Sequence, residues 1–195
     1  MGIYSSEELK RIASQKRMLF EKAVANVRSV TQTSFDIFLS HSFLDKEEVQ
    51  GLYQELTDFG YSVYVDWIID PHLDRNNVTK ASAALVRFRM KCSKSLHLAV
   101  STNATISKWM PWELGYIDGD TNRCAIIPVS RERILPKSFK GTEYLQLYPF
   151  IKKLPTRGGV EKLWVIESEY KYSIFEDWFR DGTLEENRDI NIFNL

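Results

Sequence analysis

Little in this 195-residue sequence is suited to holding a metal or stapling a fold covalently. It has two cysteines, Cys92 and Cys124, on different expected elements, and three histidines, His41, His72 and His97, without metal-ligand spacing. No disulfide framework and no metal site are therefore expected. Net charge is missing too: 26 basic residues balance 26 acidic ones, so no overall field draws the chain toward nucleic acid or an acidic membrane. No stretch approaches the roughly 18 apolar residues of a membrane span. The first 17 residues are broken by charge and hydroxyl groups where a signal peptide would have an apolar core. The expectation is a cytoplasmic chain with neither nucleic acid nor membrane as partner. Repeats and low-complexity segments are also absent. What is present, 44% hydrophobic and 27% charged residues, suits one globular domain with extensions.

Residues 5–30 carry Leu9, Ile12, Ala13, Leu19, Phe20, Ala23 and Val27 at near-helical spacing behind a Ser5-Ser6-Glu7-Glu8 start, which predicts an amphipathic helix, either packed on the domain or used for assembly. A first strand is expected at 35–39. Asp45 and Glu48 then suggest a helix start, with Asp45 as its cap, and Val49, Leu52, Tyr53, Leu56 and Phe59 form a stripe ending at Gly60. A second strand is expected at 61–67, followed by a long polar loop to Asn77. A helix then carries Val78, Ala81, Leu85, Phe88 and Cys92 inward and Arg87, Arg89, Lys91 and Lys94 toward solvent. Further strands are expected at 96–101, 124–129 and 144–148. Residues 152–159 read as loop, 162–166 as strand, 172–179 as a short helix, and the last dozen as a solvated tail.

Strands alternating with helices predict an α/β fold with a mostly parallel sheet. The stretch 107–119 stands out within it. Ser107 suits an N-cap, Pro111 fits the first turn, and Asp118-Gly119 supplies a stop. Four-residue spacing puts Trp109 and Glu113 on one face, with Trp112 and Tyr116 stacked beside them. A carboxylate is thus set among aromatic planes just past the carboxyl end of a strand, where α/β sheets bind ligands.

Three strand-end loops converge there: Ser40-His41-Ser42, residues 66–70 and residues 101–113. With Phe35-Asp36-Ile37-Phe38-Leu39-Ser40-His41-Ser42-x-x-Asp45-Lys46, Val63-Tyr64-Val65-Asp66 and Trp109-x-x-x-Glu113-Leu114, the chain resembles the Toll/interleukin-1 receptor (TIR) domain over residues 34–148. The resemblance implies a flavodoxin-like three-layer sandwich around a five-stranded, mostly parallel sheet. The flanks are then an N-terminal helical extension (1–33) and a C-terminal extension (149–195) packed on the domain. For bacterial members it implies cleavage of NAD+ at the nicotinamide N-glycosidic bond, giving nicotinamide and ADP-ribose or a cyclic isomer used as an immune signal, as in Thoeris-type anti-phage systems. Glu113 corresponds to the family's catalytic Glu and Trp109 to its flanking Trp. NAD+ is then substrate, and no cofactor is implied. The resemblance further implies a homo-oligomer through TIR–TIR contacts and a separately encoded effector that responds to the product. Where many members carry a Gly-Asp pair in the loop after the second strand, this chain has Arg75-Asn76-Asn77, and Tyr64 stands for the usual Trp.

One carboxylate suffices for such a reaction. An ordinary glycosidase must protonate an alkoxide leaving group, whereas a pyridinium departs as neutral nicotinamide without a proton. What remains is to stabilise an oxocarbenium-like ribose, a task for an anion near the positive end of a helix. On this reading Trp109, Trp112, Tyr64 or Trp67 stack on nicotinamide or adenine, Ser40 and His41 lie where a pyrophosphate binds, and Asp66 and Asp70 hold ribose hydroxyls or orient a loop. Core packing is the competing reading for Tyr64 and Trp112. Two other classes remain: a non-catalytic TIR scaffold working through residues 70–77, and a nucleoside deoxyribosyltransferase-like enzyme, which also uses a Glu at a glycosidic bond.

Overall fold

The structure, a computed structural model, describes residues 4–18, 20–21, 34–73, 79–130, 143–187 and 190–194. In chain order the elements are β1 (Tyr4–Ser5), α1 (Ser6–Gln15), β2 (Phe35–Ser40), α2 (Lys46–Asp58), β3 (Val63–Tyr64), α3 (Asp66–Ile69), α4 (Lys80–Lys91), β4 (Ser93–Val100) and α5 (Trp109–Thr121), then β5 (Cys124–Ser130), β6 (Phe150–Pro155), β7 (Glu161–Ser168), β8 (Lys171–Ile174), α6 (Phe175–Asp181) and β9 (Glu185–Glu186). Hydrogen bonds order the sheet β3-β2-β4-β5-β6-β7-β8-β9, with β1 added beside β5. From β3 to β6 the pairs are parallel, and from β6 to β9 they are antiparallel.

The parallel strands are apolar on both faces because both are covered. On one face Ile37, Leu39, Ala125 and Ile127 meet Leu9 of α1, the Val49, Leu52 and Leu56 stripe of α2, and Phe175 and Trp178 of α6. On the other, Phe38, Leu96, Leu98 and Ile126 meet Val86 and Met90 of α4 and Met110, Leu114 and Ile117 of α5. The chain leaves β2 for one face and β4 for the other. The carboxyl ends of these adjacent strands therefore flank a topological switch point, where a crevice opens.

The flavodoxin-like sandwich is as expected, but several elements differ from the sequence reading. The second strand is only Val63–Tyr64, since the amides of Ile69 and Asp70 return to the carbonyls of Val65 and Asp66 and wind that segment into α3. Residues 144–148 are not the fifth strand. Residues 144–147 lie in a 3-10 turn, Glu143–Leu147, which buries Leu145 and leaves Leu147 to solvent, and Tyr148 just after it sends its hydroxyl 2.9 Å to Asp118. The fifth parallel strand is β6, which forms a hairpin with β7 through a turn at Gly159, held at φ +77°. The expected helix at 172–179 splits into β8 and α6, and the tail docks through β9 and buried Ile192. Helix α1 ends at Gln15, where Lys16 is its C-cap at φ −103° and ψ 14°, so the expected helix is interrupted there. The later part of that stripe, including Leu19, Ala23 and Val27, lies outside the described residues, as do Arg75-Asn76-Asn77.

Candidate active site

Helix α5 starts at Trp109, one residue later than a Ser107 cap would place it. Lys108 is the N-cap without a side-chain bond, although the Ser107 hydroxyl accepts from the Met110 amide at 3.4 Å. Pro111 falls in the first turn, where its missing N–H costs nothing. The helix runs through the expected stop at Asp118-Gly119 and ends at Thr121, where Asn122 takes the left-handed cap at φ 52°. Its inward stripe is Met110, Glu113, Leu114 and Ile117. A carboxylate thus holds a position that three apolar neighbours define as core, and it is 0% exposed. Burying a carboxylate is costly unless hydrogen bonds replace its water. The Ser40 hydroxyl, equally buried at the end of β2, donates to Glu113 Oε2 at 2.5 Å. Strand alternation turns Ser40 to the α5 face together with Phe38.

Beside this pair lie half-buried aromatic planes. Trp109 and Trp112 meet edge to face at 5.4 Å, Trp112 and Tyr116 lie 6.2 Å apart, and the Arg87 guanidinium sits 5.9 Å from the Trp112 ring centre. A second cluster forms at the ends of β2 and β3. The Trp67 indole donates to His41 Nε2 at 3.2 Å, and His41 Nδ1 lies 2.9 Å from the Leu39 carbonyl. An indole can only donate, so Nδ1 carries the proton and bonds Leu39. Asp66 Oδ1 accepts the Trp67 amide at 2.8 Å and stands 3.5 Å from His41 Nε2. The Lys46 ammonium caps the Trp67 ring at 4.8 Å.

Tyr64 and Asp70 belong to a third, internal cluster. Tyr64 stacks on Phe38 at 4.9 Å with no exposed surface, and its hydroxyl donates to Asp70 Oδ2 at 2.9 Å. Arg89 closes a fork on the same carboxylate, Nε to Oδ2 at 2.8 Å and Nη2 to Oδ1 at 2.7 Å. The Asp70 hydrogen bond holds the Arg89 guanidinium above its ordinary pKa. Asp70 thus ties the end of α3 to Tyr64 and to Arg89 of α4. Arg89 turns inward, contrary to its expected solvent position. Asp45 also differs from expectation: its carboxylate does not cap α2 but accepts Ser101 Oγ at 2.5 Å and Asn103 Nδ2 at 2.6 Å, tying the loops after β2 and β4 together. The bonding roles of Ser101, Asn103 and Arg89 are not legible in the sequence. Their partners are 56, 58 and 19 residues away, and no local pattern announces them.

Of the candidate residues, the structure brings Ser40 to Glu113, Trp109 to Trp112, and His41 to Asp66 and Trp67. Tyr64 and Asp70 lie in the separate Arg89 cluster. A flavodoxin-like sheet with a carboxylate and aromatic planes at its carboxyl edge fits the TIR class of α/β protein that the sequence resembles. No protein-family profile matches the sequence. Over 149 residues, 76% of this chain and 77% of the relative, it is 46% identical to a Bacillus cereus (strain MSX-D12) protein named a probable 3' cyclic ADP-D-ribose synthase, ThsB'. Over 83 residues, 42% of this chain and 22% of the relative, it is 28% identical to a Cytobacillus dafuensis protein named a candidate cyclic ADP-D-ribose synthase, TIR2. The chain belongs to the Thoeris-like TIR proteins of the ThsB' family.

Proposed function

We propose that this chain cleaves the nicotinamide N-glycosidic bond of NAD+ and closes the remaining ADP-ribose into a cyclic isomer, with Glu113 as the catalytic carboxylate. The observation that supports this best is the buried pair of Glu113 and Ser40 at the carboxyl edge of the sheet. The names of both relatives, each a cyclic ADP-D-ribose synthase, agree with it.

In the proposed reaction the bond between ribose C1′ and the pyridinium nitrogen breaks, and its electron pair leaves with neutral nicotinamide. The cation left on the ribose is stabilised by the Glu113 carboxylate, which Ser40 holds in one orientation. A nucleophile of the same molecule then attacks C1′ and loses a proton, so NAD+ becomes nicotinamide, the cyclic product and H+. Exclusion of water from the ribose cation by the bound dinucleotide and the aromatic planes beside Glu113 favours ring closure over hydrolysis. Because the leaving group needs no proton and the reaction involves no external oxidant or reductant, no resident cofactor is required. Trp109 and Trp112 supply planes for a base, and the His41, Asp66 and Trp67 cluster holds the neighbouring loop.

The same reading takes residues 34–148 as the TIR unit, with extensions on either side, acting in the cytoplasm to make a messenger that a separately encoded effector reads. Self-association is part of it. Phe43, Leu44 and Ile106 are exposed on the loops after β2 and β4, at the edge where the site lies. Incubating concentrated protein with NAD+ and separating the products by chromatography tests the reaction. Wild type should release nicotinamide with a co-product 18 mass units lighter than ADP-ribose, the water of hydrolysis not having been added, and Glu113→Gln should release neither. Equal NAD+ loss in the two proteins would refute the role of Glu113.

A further inference from the structure

A cavity of about 490 Å³ opens at the switch point, on the side of the sheet away from α5. Its walls come from four places: the loop entering α2, the loop after β4, the end of β5, and α1, which contributes Ser6 and Lys10. The loop 40–45 connects the two functional regions, since it begins at Ser40 under Glu113 and ends at Asp45 in the cavity wall.

The N-terminal wall is built in. Strand β1 pairs in parallel with the end of β5, Tyr4 opposite Val129 and Ser5 opposite Ser130. Leu9 is buried against Gly51, where α1 and α2 approach so closely that a Cβ would overlap the Leu9 carbonyl. The Ser6 hydroxyl donates to Glu48 Oε1 at 2.6 Å, and the Lys10 ammonium lies 3.3 Å from Glu48 and 3.4 Å from Glu47. Burial pushes the Glu48 carboxyl up, but the bonds from Ser6 and Lys10 outweigh it and hold it below its ordinary pKa.

Among the described residues the lining contains no aromatic side chain, so these walls offer no plane on which a base would stack. It offers carboxylate and hydroxyl groups, which accept from a sugar diol, and the ammonium groups of Lys10 and Lys46, which pair with phosphate. Asp45 spends both oxygens on Ser101 and Asn103 and so serves as frame. This chemistry complements that of the α5 face, where the aromatic planes of Trp109 and Trp112 lie beside a carboxylate.

We propose that this cavity binds the ribose-phosphate part of the dinucleotide whose glycosidic bond meets Glu113, and that the N-terminal segment, through Ser6 and Lys10, is part of the substrate site. The inference rests on the reaction proposed above, with the ligand lying across the edge of the sheet from one face to the other. Lys10 pairs with a phosphate, and Glu48, positioned by Ser6, accepts from ribose hydroxyls.

Calorimetric titration of ADP-ribose into the full chain tests the site without turnover. Wild type and Glu113→Gln should bind alike. Lys10→Gln should bind about tenfold more weakly, the loss of one charge-assisted contact, and should raise KM for NAD+ about tenfold with kcat unchanged. Lys10→Arg keeps the charge and the Glu48 pairing, and should bind within about threefold of wild type. ADP-ribose affinity and KM unaltered in Lys10→Gln would overturn the proposal, as would Lys10→Arg binding no better than Lys10→Gln, or no ADP-ribose binding by wild type. The two readings fail separately. NAD+ cleavage that depends on Glu113 but not on Lys10 keeps the reaction and removes the cavity, whereas Lys10-dependent ADP-ribose binding without cleavage keeps the cavity and removes the reaction.

Discussion

Glu113 occupies a position that packing alone would give to a leucine. Its neighbours on the stripe of α5 are Met110, Leu114 and Ile117, and its carboxylate is kept in place by a hydroxyl from a strand 73 residues earlier. Such an arrangement sacrifices stability for chemistry, as functional sites commonly do. Two substitutions separate those terms. Glu113→Gln removes the charge at nearly constant shape, and should lower nicotinamide release about 10²–10³-fold with no drop in melting temperature. Ser40→Ala leaves the charge but removes one donor to it. It should slow release about tenfold and cost about 1–3 kcal/mol in urea unfolding, because a hydrogen bond to a buried charged group is lost. A Ser40→Ala protein as stable and as active as wild type would show that Ser40 merely lies close. At this scale the sequence was legible only in part. The spacing of Trp109 and Glu113 shows where a carboxylate meets aromatic planes, but nothing local reveals that Ser40 is its partner. Asp45 has the surroundings of a helix cap, and its real bonds go to Ser101 and Asn103 on another loop.

Among elements, the short helix α3 and its loop carry His41's partners, Asp66 and Trp67, and are held by the Tyr64, Asp70 and Arg89 cluster. Arg89 reaches Asp70 from α4, so this fork fixes the loop between them at its start. Asp70→Ala would leave the Arg89 charge, 16% exposed, and the buried Tyr64 hydroxyl without their shared acceptor. The expected cost is about 3 kcal/mol by urea unfolding, and Arg89→Lys should lose part of it because an ammonium cannot reproduce the two-pronged bond. Helix α1 depends on a different device. Gly51→Ala should push α1 off α2 at a cost of about 1–3 kcal/mol, and amide exchange should speed up in α1 before α2. Element existence was legible where one periodicity persists, as in α2, β2, β4 and β5. It failed where the pattern is short or mixed. Tyr144, Leu145 and Tyr148 look like strand residues but are spaced for a 3-10 turn, and the charged Lys152-Lys153 pair conceals β6. Lys153 there bonds Glu55 at 2.6 Å, while Lys152 is drawn into the C-terminal core near Phe193.

At the scale of the whole molecule, α6 lies across the first core, so the C-terminal part of the chain is joined to the parallel sheet by packing as well as by hydrogen bonds. His97 records this junction. It lies on β4 with no exposed surface, meets the Phe175 ring edge to face at 5.2 Å, and has Trp178 at 6.4 Å. Its Nε2 is 3.4 Å from the Ser95 hydroxyl, and Nδ1 has no hydrogen-bond partner among the described residues. Burial pulls its pKa down from 6.5 to about 3. The unfolded chain therefore takes up a proton at this residue near pH 6.5, while the folded chain stays neutral until about pH 3. Between those values the unfolded state binds more protons, so stability falls as pH falls, with a limiting slope of about 1.4 kcal/mol per pH unit from this group. Carboxylates held below their ordinary values, such as Asp36 and Glu48, add losses of the same sign at lower pH. Urea unfolding at pH 7.5, 6 and 5 isolates the histidine when wild type is compared with His97→Phe, which keeps a ring against Phe175 and Trp178 but cannot take a proton. Wild type should lose stability through this range and His97→Phe should lose distinctly less; parallel pH profiles for the two proteins would mean that His97 is protonated in the folded state and that the α6 junction admits water.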